Sequence, residues 1–498
     1  MITENIIGFQ LSSRSGKFIY AADPAGMTTL AEAFSVATAE ETDLAVDKAF
    51  KAWRIYRNTT GAQRAAFLHE IANGIEALGS ALVTRIMQET AYPEARVIVE
   101  RTRTCAQLRM FANEAEHGQW NELTVDPALP DRSPSPRPEL RKRMMAVGPV
   151  VVFGASNFPL AYSTAGGDVA SALAVGCPVI VKAHDSHLGT NALVAEVIME
   201  AARKTGMPEG VFSSLNGDGL STGVQLVQHP LVAAVGFTGS LKGGRALFDL
   251  GQQRPKPIPV FAEMGSVNPV FILSGKNQED AKALAAQLAN SMTMTSGQFC
   301  TKPGILVALE DHHSQQLIIE IKSALEKVPE ASLLNEGIFG SFNQGVSEIK
   351  AQQGVMIRQD IHSSGGLRTS PVLATVSADL FLSNPRLHHE VFGPFAILVL
   401  CRDMITMHAV ASSLEGQLTA SLMATAEELR EAHILIELLV EKAGRIIFNG
   451  VPTGVEVCAA MTHGGPYPAS TDSRFTAVGQ HAVYRWLRPV TFQNFPQD

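Results

Sequence analysis

The sequence predicts an α/β fold in which a mainly parallel sheet is covered by helices on both faces. Four short apolar runs lie at 150–153, 178–182, 211–215 and 233–237, and stretches of helical length separate them. Continuous apolar strands that alternate with helices are typical of a buried parallel sheet. A second alternating region, from about 260 to 455, predicts another α/β unit, and a chain of 498 residues is long enough for two or three subdomains.

The residues before this alternating region, up to residue 125, are expected to be mostly helical. Thr38 and Glu41 have the spacing of a capping box in front of an apolar-periodic run. Residues 126–143 are rich in proline and charge, which predicts a connection or an extended arm without a regular element. The tail YRWLRPVTFQNFP alternates hydrophobic and polar residues and predicts an added strand.

Composition and charge exclude several classes of protein. Hydrophobic residues make up 46% of the chain and charged residues 18%, an ordinary balance for a large globular protein. The net charge is −8 and the basic residues are scattered, so no nucleic acid partner is expected. No apolar run reaches the roughly 18 residues of a membrane span, and the N-terminus lacks the apolar core of a signal peptide. We therefore expect a cytoplasmic protein without a membrane partner.

The cysteines also favour a cytoplasmic location, and one of them, Cys300, lies in a sequence that suits a nucleophile. The five cysteines are odd in number, widely separated and without a CxxC pair, which favours a reducing cytoplasm over a disulfide scaffold or a zinc site. We therefore expect no metal. Cys300 lies in SGQFCTKPG, where flanking glycines indicate a loop that a ligand approaches. A lone cysteine is more often a small buried hydrophobe, and a nucleophile would need a depressed pKa or a nearby base.

Several polar residues follow predicted strands. Glu263 ends the run PVFAE, where partial burial would raise a carboxyl pKa toward that of a useful base. Gly239 and Ser240 form a turn between a strand and a helix, which either lets backbone N–H groups approach a phosphate or is an ordinary tight turn. Lys182 ends the strand PVIVK and could contact a ribose or phosphate, or simply extend from the sheet edge. Since ligands bind at the carboxyl ends of parallel strands, these positions and Asn157 are candidates for one site.

Six segments, taken in order, resemble motifs of the aldehyde dehydrogenase superfamily over almost the whole chain. They are ASNFP at 155–159, VIVKAHDSHLGT at 179–190, FTGS at 237–240, AEMG at 262–265, GQFC at 297–300 and EVFGPF at 390–395. FNG at 448–450 and a C-terminal strand complete the series, and the spacing of 37 residues between Glu263 and Cys300 also resembles that of the family.

The resemblance implies three units. A Rossmann-type cofactor domain would comprise residues 1–125 and 150–258, and an α/β catalytic domain would comprise 259–455. A small β arm, made of 126–149 and 476–498, would pair across subunits in a homodimer or homotetramer.

The resemblance also implies a role for each matching residue. Cys300 would attack the aldehyde carbon, and the Asn157 side chain with the Cys300 backbone N–H would hold the oxyanion. Glu263 would activate the water that hydrolyses the thioester. The cofactor would be held by Lys182, Asp185, Gly239, Ser240, Glu390 and Phe392. A carboxylate at Asp185 would repel a 2′-phosphate, which favours NAD over NADP, although His184 or Lys242 could offset that charge.

Departures from the commoner motifs resemble one branch of the superfamily. The pairs Ala155-Ser156 and Met264-Gly265 and the run Lys182-Ala183-His184-Asp185 resemble a branch that contains 2,5-dioxovalerate dehydrogenases and a bacterial NADP-dependent fatty aldehyde dehydrogenase. His463 also fits that branch, in which a histidine approaches the active site, although a loop histidine with local hydrogen bonds is an equal alternative.

A short acidic substrate would need a cation in the entrance tunnel. Arg101 or Arg109 would supply it from the helix ERTRTCAQLRMFANE, unless both are solvated or salt-bridged. Phe158, Phe299 and Phe153 would form apolar walls suited to either substrate.

We therefore expect an NAD(P)-dependent aldehyde dehydrogenase that forms a thioester on Cys300 and converts 2,5-dioxovalerate to 2-oxoglutarate. A medium- or long-chain fatty aldehyde is the alternative substrate. An acylating dehydrogenase that uses coenzyme A is disfavoured because Glu263 would serve hydrolysis. A catalytically inactive binding or structural homologue is disfavoured by the joint presence of Cys300, Asn157 and Glu263.

Overall fold

The computed structural model describes residues 1–496, and its first third contains two hairpins and four helices. The elements are β1 (Asn5–Ile7), β2 (Gln10–Ser12), β3 (Phe18–Asp23), β4 (Thr28–Ser35), α1 (Ala39–Tyr56), α2 (Gly61–Ala77), α3 (Gly79–Thr90) and α4 (Glu94–His117). The predicted capping box is confirmed, because the Glu41 N–H donates to Thr38 Oγ1 and the Thr38 N–H donates to Glu41 Oε2. The segment up to residue 125 was predicted to be mostly helical, and the four strands before α1 were not predicted. They form two local hairpins, β1-β2 and β3-β4, and β1 also pairs with a distant strand near residue 213.

The next segment forms the first sheet, as the apolar runs predicted. Its elements are β5 (Thr124–Asp126), β6 (Leu140–Ala146), β7 (Val150–Phe153), α5 (Gly167–Ala174), β8 (Val179–Lys182), α6 (Leu188–Lys204), β9 (Phe212–Leu215), α7 (Val224–Gln228), β10 (Ala234–Thr238), α8 (Leu241–Gln252) and β11 (Val260–Glu263). The sheet order is β11-β10-β7-β8-β9-β1-β2, and the strands from β11 to β9 are parallel. All residues of β7, β8 and β9 are buried, which explains the apolar sequences of β7 and of β8 up to Lys182, whereas β9 also buries Ser213 and Ser214.

The second sheet follows in the chain. Its region contains β12 (Val270–Ile272), α9 (Ser274–Glu279), α10 (Ala281–Thr293), β13 (Ile305–Leu309), α11 (His312–Leu325), β14 (Ala331–Ser332), α12 (Glu336–Lys350), β15 (Met356–Gln359), β16 (Arg368–Thr369), β17 (Val372–Ser377), α13 (Ala378–Ser383), β18 (Phe395–Cys401), α14 (Met404–Ser413), β19 (Gln417–Met423), α15 (Ala426–Glu431), α16 (His433–Lys442) and β20 (Ala443–Phe448). The order is β15-β17-β18-β13-β12-β19-β20, and apart from β15 all strands are parallel. The predicted second α/β unit is therefore present.

The boundary between the two sheets differs from the predicted domain boundary. Residues from 259 onward were assigned to the catalytic domain, but β11 pairs in parallel with β10 and so belongs to the first sheet. The reason is that a strand belongs to the sheet of the strand it pairs with, and the order of strands along the chain does not show that pairing.

A third, antiparallel sheet joins β5 and β6 to the last strand, β21 (Leu487–Gln493), in the order β21-β6-β5. The tail strand was predicted, whereas β6 begins at Leu140, inside a stretch expected to lack regular structure. Gln497 and Asp498, which the predicted arm includes, lie outside the described residues. Among residues 1–496, no helix has the length and apolarity needed to cross a membrane.

Candidate active site

Glu263 lies at the carboxyl end of β11, between the first sheet and a returning segment of the chain. On one side, the Gly239 N–H donates to the Glu263 carbonyl. On the other side, Ser470 forms an antiparallel bridge with Glu263, and the Met264 N–H donates to the carbonyl of Ala469. The strand end therefore holds Glu263 rigidly, and the returning segment brings His463 to it.

Cys300 lies in the loop after α10, and its backbone is shaped by a left-handed turn. Thr295, Ser296 and Gly297 have φ values of 51°, 53° and 66°. A Cβ on Gly297 would collide with the backbone of Gly393, so only glycine fits there. Asn268, which is fully buried, donates from Nδ2 to the Cys300 carbonyl at 2.9 Å and so anchors the loop on the nucleophile's own residue.

Half-buried Cys300 and the buried side chains of His463 and Glu263 form one cluster. Cys300 Sγ lies 3.6 Å from His463 Nε2, which lies 3.0 Å from Glu263 Oε2. His463 and Glu263 are only 2% and 4% exposed. The pKa of the Cys300 thiol lies well above its usual range because the group is buried and faces the Glu263 carboxylate. The resting nucleophile is therefore a protonated thiol beside a proton acceptor.

The alternative interpretation of His463 was a loop histidine with local hydrogen bonds. Only the backbone of His463 makes such a local bond. The His463 N–H donates to Thr476 Oγ1, whereas the imidazole is directed at Cys300 and Glu263. The three ligand atoms of this cluster lie within 4.8 Å of one another, so the group could also hold a metal ion. Thiolate, imidazole and carboxylate are ligands that zinc accepts.

Asn157 follows β7 and faces the Cys300 loop. Its Nδ2 donates to the carbonyl of Gln298 at 2.9 Å, and its own carbonyl accepts a hydrogen bond from the Tyr92 hydroxyl. An asparagine amide carries two N–H groups, so one remains for a developing oxyanion after the bond to Gln298 is made.

Aromatic and aliphatic side chains next to Cys300 form an apolar cluster, which we call the funnel. Phe158 packs edge to face against Phe299 and Tyr162, with ring centroids 5.1 Å apart in both pairs. The funnel consists of Ala155, Phe158, Ala161, Tyr162 and Val478, with Phe299, Val455, Val457 and Met461 packed against them. Phe153, also expected in the wall, instead contacts Phe237 near the cofactor side of the sheet.

The predicted arginines are not part of this funnel. Arg101 Nη1 donates to the Gly79 carbonyl, and Arg109 forms a bidentate pair with Glu76 at the surface. The prediction that Arg101 or Arg109 binds the substrate carboxylate is therefore corrected. The face of α4 that carries these two arginines packs against α2 and α3. Residues seven apart lie on one face of a helix, and the face toward the funnel carries Arg96 and Arg103. The Arg96 guanidinium lies over the rings of Phe158 and Phe299.

The residues expected to hold a cofactor lie mostly at the carboxyl ends of β8 and β10. Lys182 Nζ lies 3.0 Å from Asp185 Oδ1. Ser240 is the N-cap of α8, where its Oγ accepts from the Gly243 N–H. Gly239, which precedes it, is packed so closely that a Cβ would meet the Phe237 ring at 2.6 Å.

Glu390 and Phe392 lie in the loop before β18 of the second sheet, and Glu390 Oε2 packs close to Gly265. Burial raises the pKa of Glu390 to about 7, against the charge of Lys302. Lys302 is fully buried, and its Nζ donates to the carbonyls of Val391 and Phe395. Burial lowers the pKa of Lys302 to about 8. Lys302 therefore ties the Cys300 loop to the segment that presents Glu390.

Comparisons with known proteins agree with this geometry. The model of the aldehyde dehydrogenase family matches residues 11–485. The chain belongs to the aldehyde dehydrogenase family. It is 45% identical over 500 residues to alpha-ketoglutaric semialdehyde dehydrogenase 2 of Azospirillum brasilense, covering 99% of this chain and 95% of that protein. It is also 45% identical over 466 residues to an alpha-ketoglutaric semialdehyde dehydrogenase of Acinetobacter baylyi, covering 93% and 88%.

The fold of the family is confirmed as well. A Thermus 1-pyrroline-5-carboxylate dehydrogenase solved with bound NAD superposes with a TM-score of 0.84 at 18% identity, covering 99% of this chain and 92% of that one. The predicted fold class and the predicted enzyme class are therefore confirmed. The protein is an NAD(P)-dependent aldehyde dehydrogenase.

Sequence reasoning missed several residues that shape the site of this aldehyde dehydrogenase. They are Tyr92, Arg96, Arg103, Tyr162, Asn268, Lys302 and Arg445. A signal was present for Lys302, a lone cation inside the otherwise uncharged stretch TKPGILV two residues after Cys300. Arg96 and Arg103 are seven residues apart, which places them on one helical face. No local pattern distinguishes Asn268 or Arg445.

Proposed function

We propose that this enzyme oxidises 2,5-dioxovalerate, also called α-ketoglutaric semialdehyde, to 2-oxoglutarate through a thioester on Cys300. The two relatives that are 45% identical are named for that substrate. The observation that carries the chemistry is the partly buried contact between Cys300 Sγ and His463 Nε2, which places an imidazole nitrogen 3.6 Å from the nucleophile.

Acylation begins with loss of the thiol proton. His463 Nε2 accepts this proton, and Glu263 at 3.0 Å stabilises the imidazolium that results. Sγ then forms a bond to the aldehyde carbon, and the carbonyl π electrons move to oxygen. The Asn157 side-chain N–H and the Cys300 backbone N–H donate to that oxyanion. The aromatic funnel excludes water while the tetrahedral adduct exists.

The residues of the cofactor surface fit a dinucleotide. Ser240 begins a helix of 12 residues, whose positive N-terminus suits a pyrophosphate. Lys182 and Glu390 would bond the ribose hydroxyls in this proposal. A Cβ at Gly265 would lie 2.6 Å from Glu390 Oε2, so glycine leaves space for that carboxylate. The remaining residues assigned to this surface are Asp185, Gly239 and Phe392. The bound nicotinamide supplies the acceptor for the hydride that leaves the adduct.

Deacylation uses Glu263 as the base. Its carboxylate takes a proton from water, the hydroxide oxygen bonds to the thioester carbonyl carbon, and the C–S bond breaks. The His463 imidazolium reprotonates the thiolate, which restores the resting thiol, and Glu263 then releases its proton to the solvent. Hydrolysis therefore needs both His463 and Glu263. Because water is the acyl acceptor, added coenzyme A should leave the product unchanged.

The cofactor preference that we propose is a modest one for NAD. Asp185 is exposed beside Lys182 and would repel a 2′-phosphate. Burial and the neighbouring His187 hold the pKa of His184 well below its usual range, so His184 is neutral and adds no charge that would attract the phosphate.

We propose association into a dimer or tetramer through the sheet β21-β6-β5, whose two outer strands leave backbone groups for pairing. A cytoplasmic location is proposed because all five cysteines within the described range are free.

The test of the proposed function is the initial rate of NAD(P)H formation with 2,5-dioxovalerate and with dodecanal, each with NAD and with NADP. We expect the larger kcat/KM for dioxovalerate and a higher one with NAD than with NADP. A preference for dodecanal would replace the proposed substrate with a fatty aldehyde. Turnover of neither aldehyde, together with ordinary reactivity of Cys300 toward iodoacetamide, would indicate a structural homologue.

A further inference from the structure

Next to the funnel lies an arginine whose charge is not neutralised by an acidic side chain within the described residues. Arg103 is half-buried on α4, and its Nη2 donates to the Tyr162 hydroxyl at 3.1 Å. Its Nε is buried and has no hydrogen-bond partner among residues 1–496, and none of the ion pairs within that range involves it. A buried, unpaired guanidinium donor costs stability unless a ligand occupies it.

The other arginines near the funnel are already engaged. Arg96 pairs with Glu100, whose other carboxylate oxygen accepts from two backbone N–H groups. Arg445 donates from Nη1 to the Gly454 carbonyl and from Nη2 to the Pro452 carbonyl, so it holds the loop after β20. The Nε atoms of Arg96 and Arg445 are buried without a partner, as that of Arg103 is. Both Nη groups of Arg96 and of Arg445 are bonded, however, whereas among residues 1–496 only Nη2 of Arg103 donates. Of these three arginines, Arg103 therefore has neither an acidic partner nor a second engaged Nη group.

Tyr162 extends the donor set of Arg103 toward the nucleophile. Its hydroxyl accepts from Arg103, so its own proton remains available for a second acceptor. Burial raises the pKa of Tyr162, and the hydroxyl stays a neutral donor. The Tyr162 ring lies 6.1 Å from the imidazole of His463, and the charge of Arg103 lowers the pKa of Cys300 against the effect of burial. The pair is thus close to the reacting thiol.

We propose that Arg103 and Tyr162 form the subsite that binds the distal carboxylate of the substrate. The inference rests on the proposed function and deepens it, because it explains how a dioxovalerate is distinguished from a neutral aldehyde. The carboxylate and aldehyde carbons of this substrate are four bonds apart, about 5 Å when extended. A substrate so short must find its cation inside the funnel, beside the thiol. Arg103 also offsets the substrate's own charge, which would otherwise raise the pKa of Cys300 further.

The test compares 2,5-dioxovalerate with pentanal, a neutral aldehyde of the same number of carbons. In Arg103→Met the ratio of kcat/KM for dioxovalerate to that for pentanal should fall about 10- to 100-fold, the range of a lost hydrogen-bonded charge contact. Most of the change should appear in KM for dioxovalerate. Arg103→Lys should retain part of the ratio and Tyr162→Phe should lower it less. Arg101→Met, on the other face of the same helix, is the matched control and should keep the wild-type ratio.

Each other outcome overturns the inference in an identifiable way. If wild-type enzyme does not prefer dioxovalerate over pentanal, the proposed function itself fails. If wild-type enzyme does prefer it and Arg103→Met keeps that preference, the proposed function stands and the carboxylate is bound elsewhere. If both aldehydes lose the same factor in Arg103→Met, with unchanged thermal unfolding, Arg103 acts on the thiol and not on the carboxylate.

Discussion

The substitution His463→Gln isolates the imidazole as the base that activates Cys300. Glutamine keeps a polar group near the position of Nε2, 3.6 Å from Sγ, but its amide cannot take up a proton at neutral pH. The packing of the cluster is therefore disturbed little, while the proton acceptor is lost. Glu263 remains as the only other acidic or basic group of that cluster.

The size of the effect follows from the state of the thiol. An ordinary cysteine is a few per cent ionised at pH 7, and burial and Glu263 place the pKa of Cys300 well above the ordinary value. Without a base, the thiolate fraction at neutral pH falls further still. General bases contribute about 100- to 10,000-fold to the rate. We expect the low end, a loss of about 100-fold in acylation, or about 2.7 kcal/mol, because a thiol is a better nucleophile than a hydroxyl.

The assay is the pre-steady-state burst of NAD(P)H with dioxovalerate between pH 6 and pH 10. A raised thiol pKa means that thiolate appears only as the pH increases, so the burst rate of His463→Gln should rise about tenfold per pH unit through pH 9. The wild-type rate should level off earlier. Unchanged binding of the cofactor, followed by its fluorescence, shows that the variant is folded. A burst rate of His463→Gln within threefold of wild type at pH 7 would refute the reasoning and make Glu263 the base for both steps.

Three further results are expected. Glu263→Gln should keep a burst, slowed because the His463 imidazolium loses its carboxylate partner, and should lose about 100-fold or more in steady-state turnover because deacylation loses its base; complete loss of the burst would show that Glu263 is also the base of acylation. Micromolar Zn²⁺ should inhibit reversibly, with activity restored by EDTA, because Cys300, His463 and Glu263 offer three ligands within 4.8 Å; equal inhibition of His463→Gln would place the zinc elsewhere. The KM for the cofactor should rise as the pH falls below 7, because Glu390, whose pKa burial raises to about 7, then gains a proton and loses its acceptor strength; a flat KM between pH 6 and pH 8 would contradict a ribose contact.

Local sequence was enough to predict the strands of the first sheet and the polar residues at their ends. Every residue of β7 and β8 is buried, and this burial shows directly as apolar letters that only Lys182, at the end of β8, interrupts. The strand β9 is buried although it contains two serines, and β10 ends in two half-buried residues. The choice of substrate arginine failed for a physical reason. Helix α4 carries arginines on two faces. The helical period shows which residues share a face, but it does not show which elements each face contacts. Glu76 and Gly79, which engage Arg109 and Arg101, lie on α2 and at the start of α3.

The position of His463 beside Cys300 could not be predicted from a local sequence pattern. It lies 163 residues from Cys300, and no spacing rule connects the two. Its position follows from backbone pairing, since Ser470 bridges the end of β11 and the neighbouring N–H groups of Met264 and Thr471 continue that contact. A sheet edge can accept any extended segment of suitable shape, so which segment returns to it is decided by the whole fold. The base of the proposed mechanism thus depends on an edge pairing, and a substitution that weakens that pairing should slow acylation without touching a reacting group.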